Sequence, residues 1–295
     1  MDLNKLYFFK VAAELEHITK AAEQLGIQQA FLSRSIHALE EELDTPLFFR
    51  SGRGISLSPY GRTYYSYVCS VFDTLEDGAR ALRDLRQEQA LTLHIGTNAC
   101  SFLPEFFSDL RSQMPGTAIR QRTNALQPLI KELEEGVFDF LFVVSPEPVT
   151  VPAPLSARLL LEDRMGLLLP AGHPLSGISA LPFHKIAPLP LITAPEGYGM
   201  TDCLLFQFKT HDVQPNIAVQ TTDIAIIPKY VAGGLGISAL PDTIWRKGPH
   251  KGTVHVVLAE ARFPLYLYLL WNGARYQSRA AQDFLLRAKD YYGKL

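Results

Sequence analysis

The chain is short of cysteine and has no arrangement of it that would staple a fold. Its three cysteines, Cys69, Cys100 and Cys203, lie far apart in 295 residues. An odd, scattered set argues against a disulfide framework or a metal cluster, and the thiols are expected to be buried or half-buried side chains. Long apolar runs are missing too: none approaches the ~18–20 residues that cross a bilayer. The N-terminus begins at Asp2 with an amphipathic pattern and without the charged-then-apolar layout of a secretory signal, so a cytoplasmic protein is expected. There is no excess of positive charge, the formal net charge being -2. That weighs lightly against nucleic acid as a partner, because binding needs a local basic footprint rather than a basic chain. Glycines 233, 234 and 236 lead into a strand and not a helix, so they make no dinucleotide fingerprint. No cofactor is expected.

What is there is concentrated between His17 and Arg53. A short helix carries Ala21, Ala22 and Leu25, with Thr19 as its candidate N-cap, and Gly26 supplies the break for a tight turn. A second helix follows, with Phe31 or Leu32, Ile36, Leu39 and Leu43 at helical spacing. Its other face offers Gln28, Gln29, Ser33, Arg34 and His37, all able to hydrogen-bond. This is the layout of a helix-turn-helix, whose second helix presents its first turns to base edges in a major groove. By pattern alone an ordinary helical hairpin stays open. Before it, residues 3–16 form a helix with Leu3, Leu6, Phe9 and Ala13 on one face. After it, residues 47–49 and 55–57 flank a glycine-bearing turn, a hairpin signal. Set beside a helix-turn-helix it reads as a wing, with Arg50 and Arg53 in reach of phosphates or a minor groove; a solvated surface turn is the alternative. Residues 45–72 contain Arg50, Arg53 and Arg62 and no carboxylate, a small positive footprint.

Ser58 and Pro59 are an N-cap and a first-turn proline for a long helix to about residue 89. Tyr64, Val71, Gly78 and Leu85 recur at heptad spacing, interleaved with Val68, Leu75 and Leu82. A narrow apolar stripe of this kind wants a partner helix, most simply the same helix of a second chain; packing on its own domain is the alternative. Beyond residue 90 strands and helices alternate. Residues 91–96, 118–122 and 138–144 are strands, and 101–114 and 128–135 are helices. That βαβαβ order gives a parallel sheet.

The residues Leu6, Phe9, Thr19, Ala21, Ala22, Leu25, Gln29, Ser33, Ile36, Leu39, Glu40, Leu43, Leu47, Phe48, Arg50, Leu57 and Gly61 together resemble the N-terminal domain of LysR-type transcriptional regulators. The likeness continues, less densely, to the C-terminus, through Gly136 and Asp139 and through the run His173, Pro174, Leu175. His17-Ile18 stands where Ser-Phe is usual, Ala30 where Pro is usual and Asp44 where Gly is usual. The resemblance implies a multidomain chain. An N-terminal all-α winged helix-turn-helix (residues 1–58) is followed by a linker and dimerisation helix (59–89). A C-terminal α/β, two-lobed, periplasmic-binding-protein-like effector domain (90–295) completes it. Lobe I would be 90–161 with 268–295, and lobe II 162–267.

The resemblance further implies double-stranded DNA and a small-molecule effector as partners. It implies a homodimer through Tyr64, Val68, Val71, Leu75, Leu82 and Leu85, with a homotetramer common in the family and RNA polymerase as a further partner. In two-lobed folds the ligand lies at strand carboxyl ends and helix N-termini. That points to Thr97, Asn98, Cys100, Ser101, Asn124 and Ser145 from lobe I, and Thr193, Tyr198 and Thr222 from lobe II. These mostly neutral hydrogen-bonding residues suggest a small organic anion. Some family members sense peroxide through a cysteine pair, but Cys203 has no partner following it, so a ligand-independent or redox regulator is the lesser alternative. An enzyme on the α/β lobes would need a nucleophile with a base, paired carboxylates or a metal cluster, and none is found.

Overall fold

The computed structural model describes residues 2–51, 54–86, 92–178, 180–181, 183–248, 250–258 and 263–294. The chain divides into two compact units, Met1–Leu82 and Arg83–Leu295.

The first unit begins with three helices, α1 (Leu3–Leu15), α2 (Ile18–Leu25) and α3 (Gln29–Glu42). Ala12, Ala21 and Ala22 are small enough for the helices to close on Val11, Leu32 and Ile36. Leu6, Phe9 and Ala13 of α1 are buried as expected, but Leu3 is exposed because the first turn overhangs the core. Thr19 is not the cap of α2: His17 is, its ring accepting from the Lys20 N–H at 3.4 Å. Gly26 closes α2 in the left-handed region, at φ 66°, where a β-carbon is penalised. Two antiparallel strands, β1 (Phe48–Ser51) and β2 (Gly54–Leu57), form the expected hairpin. The long helix α4 (Pro59–Arg86) then starts on Ser58, whose buried hydroxyl accepts from the Gly61 N–H at 2.9 Å and donates to the Pro46 carbonyl at 2.7 Å. Gly61 has to be glycine, since a β-carbon there would overlap the Leu47 carbonyl.

The second unit is two lobes built on one continuous path of sheet. Lobe I holds β3 (Thr92–Thr97), α5 (Leu103–Gln113), β4 (Ala118–Thr123), α6 (Leu126–Glu134) and β5 (Phe140–Ser145). Strands β4, β3 and β5 are parallel, in that order. Next comes β6, Leu155–Pro170, a single strand where the sequence suggested two short ones. Lobe II follows with β7 (Ala180–Leu181), α7 (Phe183–Ile186), β8 (Leu191–Thr193), α8 (Gly199–Thr210) and β9 (Ile217–Gln220). It continues with α9 (Ile227–Ala232), β10 (Ser238–Pro241), α10 (Asp242–Lys247) and β11 (Thr253–Leu258). Strand β12 (Pro264–Asn272) returns to lobe I, and α11 (Arg279–Tyr292) ends on it.

Strands β6 and β12 are the two crossings. Residues 155–164 of β6 pair with β12, while residues 165–170 pair with β10 and β11. Because β12 runs antiparallel to both β5 and β6, the sheet is mixed. An aromatic group of Phe106, Phe140, Phe142, Phe284 and Tyr292 fixes α5 and α11 to lobe I. The Tyr292 hydroxyl donates to the Phe102 carbonyl at 2.8 Å.

Candidate nucleic-acid interface and ligand cavity

In the first unit the amphipathic pattern of α3 is realised. Leu32, Ile36 and Leu39 are buried, while Gln28, Gln29, Ser33, Arg34 and His37 are exposed along one face. Phe31 is on the outer side, edge-on to Phe8 with ring centres 5.9 Å apart. Without a proline at position 30, α3 still begins at Gln29, behind a Gln28 whose side chain makes no cap bond. Asp44 adopts φ 48° where the family has glycine, a tolerated but strained use of the left-handed region. Thr19 is exposed in the first turn of α2.

Glu40 is a positioning residue that sequence reasoning left among the solvated acids. One of its oxygens accepts from the Leu47 N–H at 2.7 Å and the Phe48 N–H at 3.1 Å, tying the first strand of the hairpin to α3. The hairpin is also held to α1 by the Ile55 N–H on the Glu16 carbonyl at 3.1 Å. His37 lies 3.4 Å from a Glu41 oxygen. Arg53 and the side chain of Arg50 lie outside the described residues.

On α4, Val68 is buried and Tyr64 packs beside it on the cluster of Leu6, Phe9, Leu39 and Leu47. Those two therefore serve the first unit's own core. Val71, Leu75 and Leu82 are exposed, at 40%, 53% and 60%, a row of apolar side chains without cover in the single chain. The side chain of Leu85 lies outside the described residues.

In the second unit a cavity of about 300 Å³ opens between the lobes. Asn98, Ser101, Thr193 and Tyr198 line it as expected. Asn98 has both amide atoms committed to the Val144 backbone, at 2.8 and 3.0 Å, so it holds β5 in place. Thr193 is 2% exposed and its hydroxyl has no hydrogen-bond partner.

The other expected residues are used differently. The Thr97 hydroxyl accepts from the Ala99 N–H at 3.0 Å, the Asn124 side chain from Ala125 at 2.9 Å, and the Ser145 hydroxyl from Glu147 at 3.3 Å. Thr222 is exposed beyond the rim, and the side chain of Cys100 lies outside the described residues. Most of the wall is apolar and comes from lobe II: Leu168, Leu204, Ile224, Ile227, Leu240 and Ile244. In sequence these read as ordinary core positions, and only the topology brings them to one space. Among the described residues no Asp, Glu, Lys or Arg lines it.

The lobes meet at the loop before α8. The Leu126 N–H donates to the Gly197 carbonyl and the Gly199 N–H to the Asn98 carbonyl, each at 3.0 Å. β-Carbons at Gly197 and Gly199 would press on Ala125 and Val144. Cys203 is fully buried and burial pushes its thiol well above the usual range, the nearby Asp202 adding to the shift. A thiol so placed is not poised to react.

Residues 3–62 match the family described as "Bacterial regulatory helix-turn-helix protein, lysR family", and residues 86–292 match "LysR substrate binding domain". The chain belongs to the LysR family of bacterial transcriptional regulators. A LysR relative, the probable cat1 operon transcriptional activator of Acinetobacter lwoffii, is 31% identical over 249 residues, covering 82% of this chain and 80% of its own. The uncharacterized HTH-type transcriptional regulator YybE of Bacillus subtilis is 29% identical over 288 residues, covering 96% and 97%. The crystal structure of HinK, a LysR family transcriptional regulator from Pseudomonas aeruginosa, superposes with a TM-score of 0.56 at 24% identity, covering 99% of each chain. The protein is accordingly a DNA-binding transcriptional regulator with a C-terminal substrate-binding domain, and not an enzyme. No described helix is long and apolar enough to cross a membrane.

Proposed function

We propose that α3 reads operator DNA through Gln28, Gln29, Ser33, Arg34 and His37, with Thr19 and the wing arginines Arg50 and Arg53 on the phosphate backbone. The observation that carries this is the exposed polar face of α3, opposite a buried Leu32–Ile36–Leu39 edge. Arg34 offers a fork for guanine, and the glutamines match adenine. The positive footprint is small, so one domain binds weakly and two linked domains supply the affinity. The exposed Val71, Leu75 and Leu82 of α4 are the proposed seam of that homodimer. Pairs of dimers would make the tetramer common in the family, with RNA polymerase as the downstream contact. A protein that reads the chromosome works in the cytoplasm.

A small molecule held in the inter-lobe cavity would then bias the angle between the lobes. The loop around Gly197 and Gly199 is where that angle is set, because it carries the bonds from one lobe to the other.

Fluorescence anisotropy on promoter-proximal DNA tests the assignment. The triple variant Gln29→Ala, Ser33→Ala, Arg34→Ala is expected to lose sequence discrimination by at least about tenfold, each lost base contact being worth about 1–3 kcal/mol. Unchanged affinity and discrimination would rule α3 out as the reading helix.

A further inference from the structure

The walls of the inter-lobe cavity say which class of molecule it is built for, an inference that rests on reading this cavity as the effector site. A buried anion needs either a cation or uncommitted N–H donors, because an unpaired charge in an apolar site is prohibitively costly. Among the described residues no lysine or arginine lines the space. The backbone donors around it are already taken. The Ala99 N–H goes to the Thr97 hydroxyl and that of Ala194 to the Thr201 hydroxyl, both at 3.0 Å. The Gly199 N–H goes to Asn98 and the Tyr198 N–H to Pro195. On the far wall, the turn that supplies Ile224 and Ala225 is capped by the Asp223 carboxylate, which accepts from the Ala225 N–H at 3.2 Å. The nearest fixed charge on that turn is therefore negative.

Two features point the other way, toward an apolar guest. Much of the wall is aliphatic, with Leu168, Leu204, Ile227, Leu240 and Ile244 converging from different elements. And the Thr193 hydroxyl, on a residue only 2% exposed that lines the cavity, lacks a hydrogen-bond partner. A buried hydroxyl without a partner is rare in proteins and costs stability unless something completes it.

We propose that the effector is an uncharged, chiefly apolar small molecule, carrying one hydrogen-bonding group that meets the Thr193 hydroxyl, and not the organic anion that the sequence suggested. The Thr193 hydroxyl is the specificity-determining contact, and the aliphatic wall supplies the affinity. The volume of about 300 Å³ sits at the low end of small-molecule sites and suits one or two fused rings or a short branched chain.

The test is thermal shift on the full chain with two probes of matched size, indole and benzoate, with citrate as a polyanion. Indole is expected to raise the unfolding midpoint in a concentration-dependent way, and benzoate to need at least about ten times the concentration for the same shift. Thr193→Val removes the hydroxyl at constant shape. It should weaken indole about five- to tenfold, while the unliganded midpoint stays level or rises, because an unpaired buried oxygen has gone. A hydroxyl that mattered only to packing would give the reverse: a lower midpoint and unchanged indole affinity. Ala239→Phe, which fills the space, should abolish the response, and if it fails to fold Thr193→Val still decides.

Benzoate or citrate binding as well as indole, or benzoate binding that His250→Gln abolishes, would overturn the proposal. So would the absence of any response to indole. Operator affinity without probe is measured alongside. Loss of that affinity would count against the DNA-reading role alone, and an anion preference with operator binding intact would count against the ligand class alone.

Discussion

Two glycines in the first unit are required for different physical reasons. Gly26 has open space around its α-carbon but sits at φ 66°. Alanine there costs only backbone strain, about 1–2 kcal/mol. Gly61 has an ordinary backbone but faces the Leu47 carbonyl directly. Alanine there must push α4 off the hairpin, costing about 3 kcal/mol or more. Chemical denaturation of the two variants should show Gly61→Ala as clearly the worse, and equal losses would contradict the packing described for α4.

Asp202 offers a pH test at the same scale. Burial raises its carboxyl pKa, the Gly197 N–H it accepts at 2.8 Å pulls the other way, and Glu196 adds repulsion. A carboxyl raised on folding is bound more tightly to its proton in the folded chain. Its contribution is fully present below the unfolded value of about 3.9 and is lost as pH rises through the higher folded value. Asp202→Asn can keep the bond to Gly197 and removes the charge. The variant should gain stability over the parent between about pH 4 and neutrality, and a constant difference across that range would refute the raised carboxyl.

At the scale of elements, α4 does two jobs along one helix. Its first turns, through Val68 and Tyr64, complete the core of the first unit, and its later turns leave Val71, Leu75 and Leu82 uncovered. Leu75→Arg should therefore weaken self-association by at least tenfold in analytical ultracentrifugation, with unit 1 still folded, as about 1.4 kcal/mol of lost burial would give. Val68→Arg should unfold the first unit outright. A Leu75→Arg protein that associates like the parent would remove α4 as the seam.

The heptad spacing showed that the stripe existed. It could not show that Val68 is spent internally, because an internal and an external apolar residue look alike in one sequence. The same ambiguity hid the cavity wall. Leu168, Leu204, Leu240 and Ile244 have the composition of core residues, and their convergence depends on strands and helices far apart in sequence. Strand β6 was read as two pieces because Glu162, Asp163 and Arg164 interrupt its apolar run. They sit where the strand passes from one lobe to the other, and the Asp163 side chain caps α10 through the Thr243 N–H at 3.1 Å. The helices α7 and α10 span four and six residues, too few for a helical period to register. What was legible was local: the turn at Gly26, the cap at Ser58, the hairpin, and the polar and apolar faces of α3.

For the whole molecule, the central claim is that two copies of α3 read one duplex, held at a fixed spacing by paired α4 helices. That spacing is the property a single chain cannot supply, and effector binding acts on DNA only by changing it. Hydroxyl-radical footprinting of the full-length protein on its promoter-proximal DNA tests this directly. The expected result is two protected segments about one helical turn, or a multiple of a turn, apart, both abolished by Leu75→Arg at concentrations where the parent binds. A single protected segment that survives Leu75→Arg unchanged would contradict it.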